Sequence, residues 1–223
     1  MFIAVAFSVT CRWAMGSSIS GTIVLEKKAA KRVLAPAVYD LRGMTESDEP
    51  YDRASTNEFD QVAVWLESDH DEPAKPIMAA MGQRNRRFER ELLVIPVGST
   101  VEFPNFDAIF HNIFSLSRAQ PFDLGYYPKG QTRFVKFPRA GIVQVYCHVH
   151  PNMYAAIVVT SSRWFGKPAR DGSFNWSDVP PGKYRLMIWQ KFVGVFHKDV
   201  AVPERGNITA NVSIPVEDPE NAH

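Results

Sequence analysis

The sequence lacks the features that mark several large classes of protein. Among its 223 residues only two are cysteines, Cys11 and Cys147. Lys and Arg number 25 against 24 for Asp and Glu, so the basic surplus of a typical nucleic-acid-binding protein is missing. No apolar run approaches the roughly 20 residues of a membrane-spanning helix. We therefore expect no nucleic-acid partner and no membrane span, while a hydrophobic content of 45% indicates an ordinary globular core.

The N-terminal stretch departs from this globular pattern. Residues 2–11 are largely apolar but too few to span a membrane, and Ala14-Met15-Gly16 places small residues at the third and first positions before Ser17. This arrangement is typical of a secretory cleavage site, so we expect residues 1–16 to be a signal peptide remnant and the protein to be exported, to the periplasm or otherwise. The alternative is an N-terminal strand of the mature protein. After such a cleavage Cys147 is the only thiol, which excludes an internal disulfide.

Helical periodicity is scarce, and β-strand signals take its place. Short runs rich in Val, Ile, Phe and Tyr alternate with Gly, Pro and Asp, which is typical of a β-sandwich. The sequence therefore predicts an all-β fold. The candidate strands are Ser20–Glu26, Ala37–Arg42, Gln61–Glu67, Glu91–Val97, Thr100–Phe103, Asn112–Leu116, Arg133–Phe137, Ile142–Tyr146, Ala155–Thr160, Ser173–Trp176, Lys183–Trp189, Phe196–Val202 and Asn207–Ile214.

Composition divides the chain into four segments. The signal remnant (1–16) precedes an N-terminal β segment (17–76). We interpret its acidic stretch from Glu46 to Glu72 as a solvated, partly mobile insertion around one strand. A larger β domain (77–160) follows, and the last segment (161–223) is a small β module.

The residues Tyr146-Cys147-His148-Val149-His150-Pro151-Asn152-Met153 form the most informative segment. If residues 141–147 form a strand, the side chain of Cys147 lies on its buried face, at the point where the chain leaves the strand. His150 and Met153 follow three and six residues later, so a tight loop can bring three soft or borderline donors to one point. A fourth donor must come from elsewhere in the fold, and His111 is the candidate.

The four candidate donors form a coherent chemical set. A thiolate, two imidazoles and a weak axial thioether are the ligands of a blue-copper electron-transfer site. Sulfur donors suit Cu(I), while imidazole tolerates both oxidation states. A trigonal site with one long axial bond is acceptable to Cu(I) and Cu(II), which keeps reorganisation during electron transfer small. The pattern therefore predicts one copper ion that cycles between these states.

The segment from Ile77 to Thr160 resembles the cupredoxins, and its loop Cys147-x-x-His150-x-x-Met153 has the short spacing of amicyanin. This resemblance implies a Greek-key β-sandwich with His111, Cys147, His150 and Met153 as copper ligands. A wider likeness, from about Gln61 to Trp189, is to the plastocyanin-like proteins often labelled methylamine utilisation proteins. The strings that carry it are Val97–Asn105, His111–Leu116, Phe122–Gly125 and Cys147–Met153.

The C-terminal segment resembles a different family. Residues 161–216, with turns at Asp171-Gly172-Ser173-Phe174 and Val179-Pro180-Pro181-Gly182-Lys183-Tyr184, are similar to the carboxypeptidase regulatory-like β-sandwich. After the second turn, Tyr184, Leu186 and Ile188 fall on one face of a strand. Modules of this family carry no chemistry of their own, so the resemblance implies that the metal lies in the preceding domain alone.

One residue departs from the cupredoxin-like pattern. His148 follows the cysteine, where the family has Asn or another small polar residue. Strand alternation predicts that its side chain points away from the copper, toward the surface. A fifth ligand, or a second metal held with a neighbouring residue, is the alternative.

Other chemistries fit the motif less well. Zinc accepts one Cys and two His, but the thioether of Met153 contributes little to a borderline ion. An iron–sulfur cluster needs more thiolates, and no nucleophile motif of a Cys–His hydrolase surrounds Cys147. We therefore expect no catalytic residues and no enzyme, but an electron carrier with a redox partner protein. Two alternatives remain open: a copper module for storage, delivery or sensing, and an adhesion or carbohydrate-binding β-sandwich.

Overall fold

The structure, a computed structural model, describes residues 16–27, 57–69 and 73–216. Within these ranges it contains eighteen β-strands and one 3-10 turn, Glu58–Gln61, and no α-helix. The prediction of an all-β fold is confirmed. No helix in the described part is long and apolar enough to cross a membrane. Residues 1–15 of the expected signal remnant and the candidate strand Ala37–Arg42 lie outside the described residues.

Most of the strands begin and end within three residues of the bounds of a predicted strand. They are β1 (Ser17–Lys27), β2 (Val62–Glu67), β3 (Met78–Ala80), β4 (Gln83–Arg84), β5 (Arg87–Phe88), β6 (Leu92–Pro96), β7 (Thr100–Pro104), β8 (His111–Ser115), β9 (Phe122–Tyr127), β10 (Thr132–Lys136), β11 (Gly141–Cys147), β12 (Tyr154–Thr160), β13 (Phe165–Gly166), β14 (Ser173–Val179), β15 (Gly182–Gln190), β16 (Gly194–Val202), β17 (Asn207–Thr209) and β18 (Val212–Val216).

The first β-sandwich contains the predicted metal-binding motif. A five-stranded sheet in the order β6-β12-β11-β8-β9 faces a three-stranded sheet in the order β10-β7-β3. Alternate side chains of β11 and β12, such as Val145 and Ile157, are fully buried between the sheets, because successive side chains of a strand point to opposite faces. Val101 and Phe103 of β7 fill the core from the opposite sheet.

The second β-sandwich combines N-terminal and C-terminal strands. One sheet has the order β14-β1-β17, with β18 also paired to β1, and the other has the order β13-β2-β15-β16. Ser20 of β1 lies opposite Asn175 of β14, and Val64 of β2 lies opposite Ile188 of β15. Strands β1 and β2 are therefore integral parts of the sandwich that the C-terminal strands form.

The two sandwiches pack against each other through a third apolar cluster. Strand β2 buries both faces for this reason: Val64 enters the core of the second sandwich, and Trp65 enters the cluster between the sandwiches. Strand β12 does the same from the other side. The four sheets thus form one continuous stack. The buried members of this interface cluster are Ala63, Trp65, Leu92, Ala156, Val158 and Trp189.

Candidate metal centre

Cys147 is the last residue of β11, and its side chain is buried at 4% exposure, as the strand prediction required. It lies opposite Ile113 of the neighbouring strand β8. His111, the first residue of β8, is two positions from Ile113 and therefore on the same side of the sheet. Strand pairing thus brings the predicted upstream histidine next to the cysteine.

Three predicted donor atoms converge at this point. The Sγ atom of Cys147 lies 3.5 Å from Nδ1 of His111 and 3.7 Å from Nδ1 of His150. One ligand atom from each of the three residues lies within 4.8 Å of the other two. The two imidazole rings are 4.9 Å apart between centroids. The arrangement has the form of a three-coordinate metal site.

The loop between β11 and β12 supplies the two downstream residues. The backbone N–H of Met153 donates to the carbonyl of His150 at 3.0 Å, which closes a tight turn. Met153 returns to the core, at 1% exposure, in the same apolar cluster as Cys147. His150 is half-buried, whereas His111 is fully buried. The site therefore has one imidazole inside the protein and one that reaches the surface.

Asp107 also contacts the cluster, although sequence reasoning did not single it out. Its Oδ2 accepts a hydrogen bond from Nε2 of His111 at 2.9 Å. The backbone N–H groups of Asn85 and Arg86 donate to its Oδ1 and Oδ2, at 2.6 and 2.9 Å. A carboxylate four residues before a candidate ligand histidine was the only local signal for this contact.

Asn105 holds the loop that connects β7 to β8. Its side-chain Nδ2 donates to the carbonyls of Ile109 and Tyr127 at 2.9 and 3.0 Å, and its Oδ1 accepts from the N–H of Asp107 at 2.8 Å. Asn105 is fully buried. The loop that leads to His111 is therefore fixed from inside, which positions Asp107 for its contact with the histidine.

These contacts shift the pKa of three groups. Burial raises the pKa of Cys147, but hydrogen bonds from His111, from His150 and from backbone N–H groups outweigh burial and lower it to about 6. Burial lowers the pKa of His111, but its contacts with Cys147 and Asp107 outweigh burial and raise it. Burial raises the pKa of Asp107, but hydrogen bonds from Arg86, His111 and Asn85 hold it below its usual value. The metal-free site therefore favours a thiolate.

The donor set fits a copper ion. Metal bonds of about 2.3 Å to sulfur and about 2.0 Å to nitrogen, about 110–120° apart, place the two donor atoms about 3.5–3.8 Å from each other. The sulfur–nitrogen distances of 3.5 and 3.7 Å fall in this range. Because Asp107 occupies Nε2 of His111, Nδ1 is the nitrogen that faces Cys147 and that a metal there would bind. One thiolate and two imidazoles are the trigonal donors of a blue-copper site.

His148 points away from this cluster, as strand alternation predicted. Its side chain is 46% exposed and its ring stacks on Phe114, with centroids 3.8 Å apart and planes 12° apart. Its Nε2 lies 3.9 Å from Oδ2 of Asp123. The histidine that follows Cys147 thus lies on the surface rather than among the converging donors.

Comparison with known proteins finds similarity to solved structures alone, since no protein-family model and no curated protein matches the chain. The chain is similar to the copper-containing nitrite reductase of Thermus scotoductus SA-01, with 26% identity and a TM-score of 0.36, over 39% of this chain and 23% of that one. It is similar to a purple cupredoxin from Nitrosopumilus maritimus, with 26% identity and a TM-score of 0.34, over 37% of this chain and 99% of that one. It is also similar to an amicyanin mutant in the reduced Cu(I) form at pH 4, with 22% identity and a TM-score of 0.36, over 43% and 98%.

The chain spans less than a quarter of the length of the nitrite reductase. All three TM-scores are 0.36 or lower, so the structural similarity is weak. The case for a metal centre therefore rests on the geometry and donor chemistry of the site itself.

Proposed function

We propose that this protein is a cupredoxin-type copper protein that carries one electron at a time. The observation behind this proposal is the convergence of the Cys147 thiol with the Nδ1 atoms of His111 and His150. These three residues would hold one copper ion, with Met153 as a weak axial donor. Copper, when bound there, supplies a one-electron couple between Cu(I) and Cu(II).

Each proposed ligand has its own physical role. Cys147, with its pKa lowered to about 6, presents a thiolate to the metal at neutral pH. His111 is buried and hydrogen-bonded to Asp107, so it fixes the inner side of the site. Met153 lies in the close-packed core, which limits how far its thioether can move between the two oxidation states.

His150 is the proposed point of electron exchange with a redox partner protein. It is half-buried, and its chain neighbour Val149 is 44% exposed. Phe110, next to His111 in the chain, is 56% exposed. Exposed apolar side chains beside a half-exposed ligand suit brief contact with another protein, because they lose water on contact without forming strong bonds. The proposed role is that of an electron carrier rather than an enzyme.

We also propose that the chain is exported. The small residues Ala14-Met15-Gly16 precede Ser17, and β1 begins at Ser17, so cleavage there leaves the strand whole. A mature N-terminus at or near Ser17 is expected in mass spectra of the periplasmic fraction. A full-length chain found in the cytoplasm would contradict export.

The C-terminal part of the second sandwich, within residues 161–223, is proposed to be a carboxypeptidase regulatory-like module, joined to the copper domain as in the methylamine utilisation type. In its favour, the turn at Pro180-Pro181-Gly182 leads into β15, whose residues Tyr184, Leu186 and Ile188 are buried in one core. The domain boundaries at residues 77 and 161 belong to the same proposal.

The visible spectrum of the copper-loaded protein tests the electron-transfer proposal. We expect one copper per chain and an intense sulfur-to-copper absorption that disappears on reduction and returns on oxidation. Cys147→Ser should abolish this absorption, because the chromophore depends on a thiolate. A colourless protein that binds zinc equally well and shows no reversible couple would reject electron transfer.

A further inference from the structure

Asp107 connects the buried His111 to the β4–β5 hairpin, whose strands contribute none of the proposed ligands. We propose that Asp107 is a positioning residue of the metal centre. Held by the turn of this hairpin, its carboxylate fixes the imidazole of His111 and biases bound copper toward Cu(II). The part that concerns copper rests on the proposed function, whereas the fixation of the imidazole applies to the metal-free protein as well.

The hydrogen bond to Asp107 decides which ring nitrogen of His111 is available to a metal. Because the carboxylate accepts only, Nε2 carries a proton and donates to Asp107 Oδ2 at 2.9 Å. Nδ1 is then the nitrogen that faces Sγ of Cys147, at 3.5 Å, and that a metal beside the cysteine would bind. Asp107 therefore selects the tautomer that a metal bound beside Cys147 requires.

The hairpin holds the carboxylate with backbone groups. Asn85 and Arg86 form the two-residue turn between β4 and β5, and their φ angles are +54° and +58°, as in a type I′ turn. In this conformation both N–H groups point at Asp107, one to each carboxylate oxygen. The base of the hairpin is anchored, since Gln83 and Phe88 are buried.

The carboxylate is also a charge close to the metal. The side chain of Asp107 is 11% exposed, so water screens it weakly. A negative charge one imidazole away from the ion stabilises Cu(II) more than Cu(I), because the oxidised ion carries one more positive charge. Removal of the charge should therefore raise the reduction potential. Asp123 instead lies 3.9 Å from Nε2 of the surface residue His148, which is not a proposed ligand, and its side chain is 58% exposed.

The first experiment measures copper affinity and potential in Asp107→Asn and Asp107→Ala, with Asp123→Asn as the charge-matched control. Loss of a hydrogen-bond partner of a ligand histidine lowers metal affinity by about 10- to 100-fold. If Cu(II) binding weakens tenfold more than Cu(I) binding, the potential rises by about 59 mV. We expect a rise in both Asp107 variants and little change in Asp123→Asn. Equal shifts in all three variants would overturn the role of Asp107.

The second experiment uses the metal-free protein and nuclear magnetic resonance of the imidazole nitrogens. We expect the Nε2–H proton of His111 to resonate far downfield and to exchange slowly in the unmodified chain and in Asp123→Asn, because the carboxylate of Asp107 accepts it. In Asp107→Ala we expect this proton to move upfield and to exchange faster with water. An unchanged proton signal in Asp107→Ala would overturn the fixation of the ring. Because copper is not needed, this result stands or falls independently of electron transfer.

The third experiment tests the hairpin at one position. Arg86→Gly keeps the left-handed backbone and the N–H donor, whereas Arg86→Pro removes both. The two variants lose the same guanidinium charge, so their difference reports the backbone contact. We expect Arg86→Pro to weaken Cu(II) binding more than Arg86→Gly and to speed the exchange of the His111 Nε2–H proton. Identical behaviour of the two variants would remove the hairpin from the proposal. A wild-type protein without a copper couple would reject electron transfer while leaving the result for the metal-free protein intact.

Discussion

At the scale of single residues, the two histidines after Cys147 face opposite ways. His148 stacks on Phe114 at the surface, while Nδ1 of His150 lies 3.7 Å from the thiol. We expect His150→Asn to remove the sulfur-to-copper absorption and His148→Asn to leave it unchanged. Visible spectra of the two variants, loaded with the same amount of copper, check this. Colour lost in His148→Asn but kept in His150→Asn would mean that the ligand loop is assigned in the wrong register.

Met153 is expected to tune the potential rather than to retain the metal. Met153→Leu should leave copper bound and raise the reduction potential, because loss of a weak axial donor disfavours Cu(II) more than Cu(I). Met81→Leu is the matched control, since Met81 is equally buried in the same core and is not a proposed ligand. Voltammetry of the two variants checks the prediction. A similar shift in both would point to core packing as the cause.

The thiol of Cys147 gives a pH prediction for the metal-free protein. Its pKa is lowered to about 6, chiefly by the hydrogen bond from His111 against the opposing effect of burial. A lowered pKa means that the thiolate persists as the pH falls from alkaline values toward 6 and disappears below it. Ultraviolet thiolate absorbance, with Cys147→Ser as the blank, should show this midpoint. His111→Ala should move the midpoint upward, and an unchanged midpoint would contradict the assigned cause.

The approach of His150 to Cys147 could be predicted because it is local. One strand end and one tight turn determine where these two side chains point, and both are visible in the sequence. The approach of His111 was expected from ligand chemistry and from the cupredoxin resemblance, and Met153 as a fourth ligand stays a prediction. Asp107 was missed, because its role depends on the hairpin at Asn85-Arg86, which approaches it only in the folded chain.

At the scale of elements, the loop between β7 and β8 depends on Asn105. Its side chain makes three hydrogen bonds inside the protein. Asn105→Ala should lower the free energy of unfolding by about 3 kcal/mol, from three hydrogen bonds at about 1 kcal/mol each. Urea unfolding of the metal-free protein measures this. The exposed Asn175→Ala serves as the control, and equal stability of the two variants would show that the Asn105 bonds contribute little.

The strands themselves show what local patterns can predict. Strands with a regular inward face, such as β11 and β15, were predicted within a few residues. Strand β9 was missed, because Gly125 and the exposed Asp123 interrupt its apolar pattern. The predicted strand Asn207–Ile214 is divided into β17 and β18, because Ala210 turns inward and its N–H donates to the carbonyl of Ser20. Such a break depends on a partner strand far away in the chain.

At the scale of the whole molecule, long-range pairing decides the architecture. Strand β1 pairs with β14, β17 and β18, all more than 140 residues later. No local pattern specifies these partners, so sequence reasoning treated residues 17–76 as a separate segment. The signal available in the sequence was the uninterrupted apolar run at residues 62–66, since a strand that is apolar on both faces lies between two layers. One layer is the core of the second sandwich, and the other is the interface cluster.

The shared interface predicts that the two sandwiches unfold together. The described tryptophans, Trp65, Trp164, Trp176 and Trp189, all lie in the second sandwich or the interface cluster, whereas the proposed ligands lie in the first. Tryptophan fluorescence and copper absorption therefore report on different sandwiches. We expect their thermal transitions to coincide in the wild-type protein, as they do when one cooperative unit unfolds.

Trp65→Ala tests this coupling through the interface. Loss of a buried tryptophan removes about 3–5 kcal/mol of stability, which for a chain of this size lowers the melting temperature by about 10 °C. The midpoints of both transitions should fall together by that amount, although Trp65 and Cys147 lie in different apolar clusters. Phe192→Ala is the control, since Phe192 is 48% exposed, and it should shift neither transition midpoint. If fluorescence shifts while the copper absorption melts at its original temperature, the sandwiches are energetically independent, and the interface cluster joins them without stabilising the metal centre.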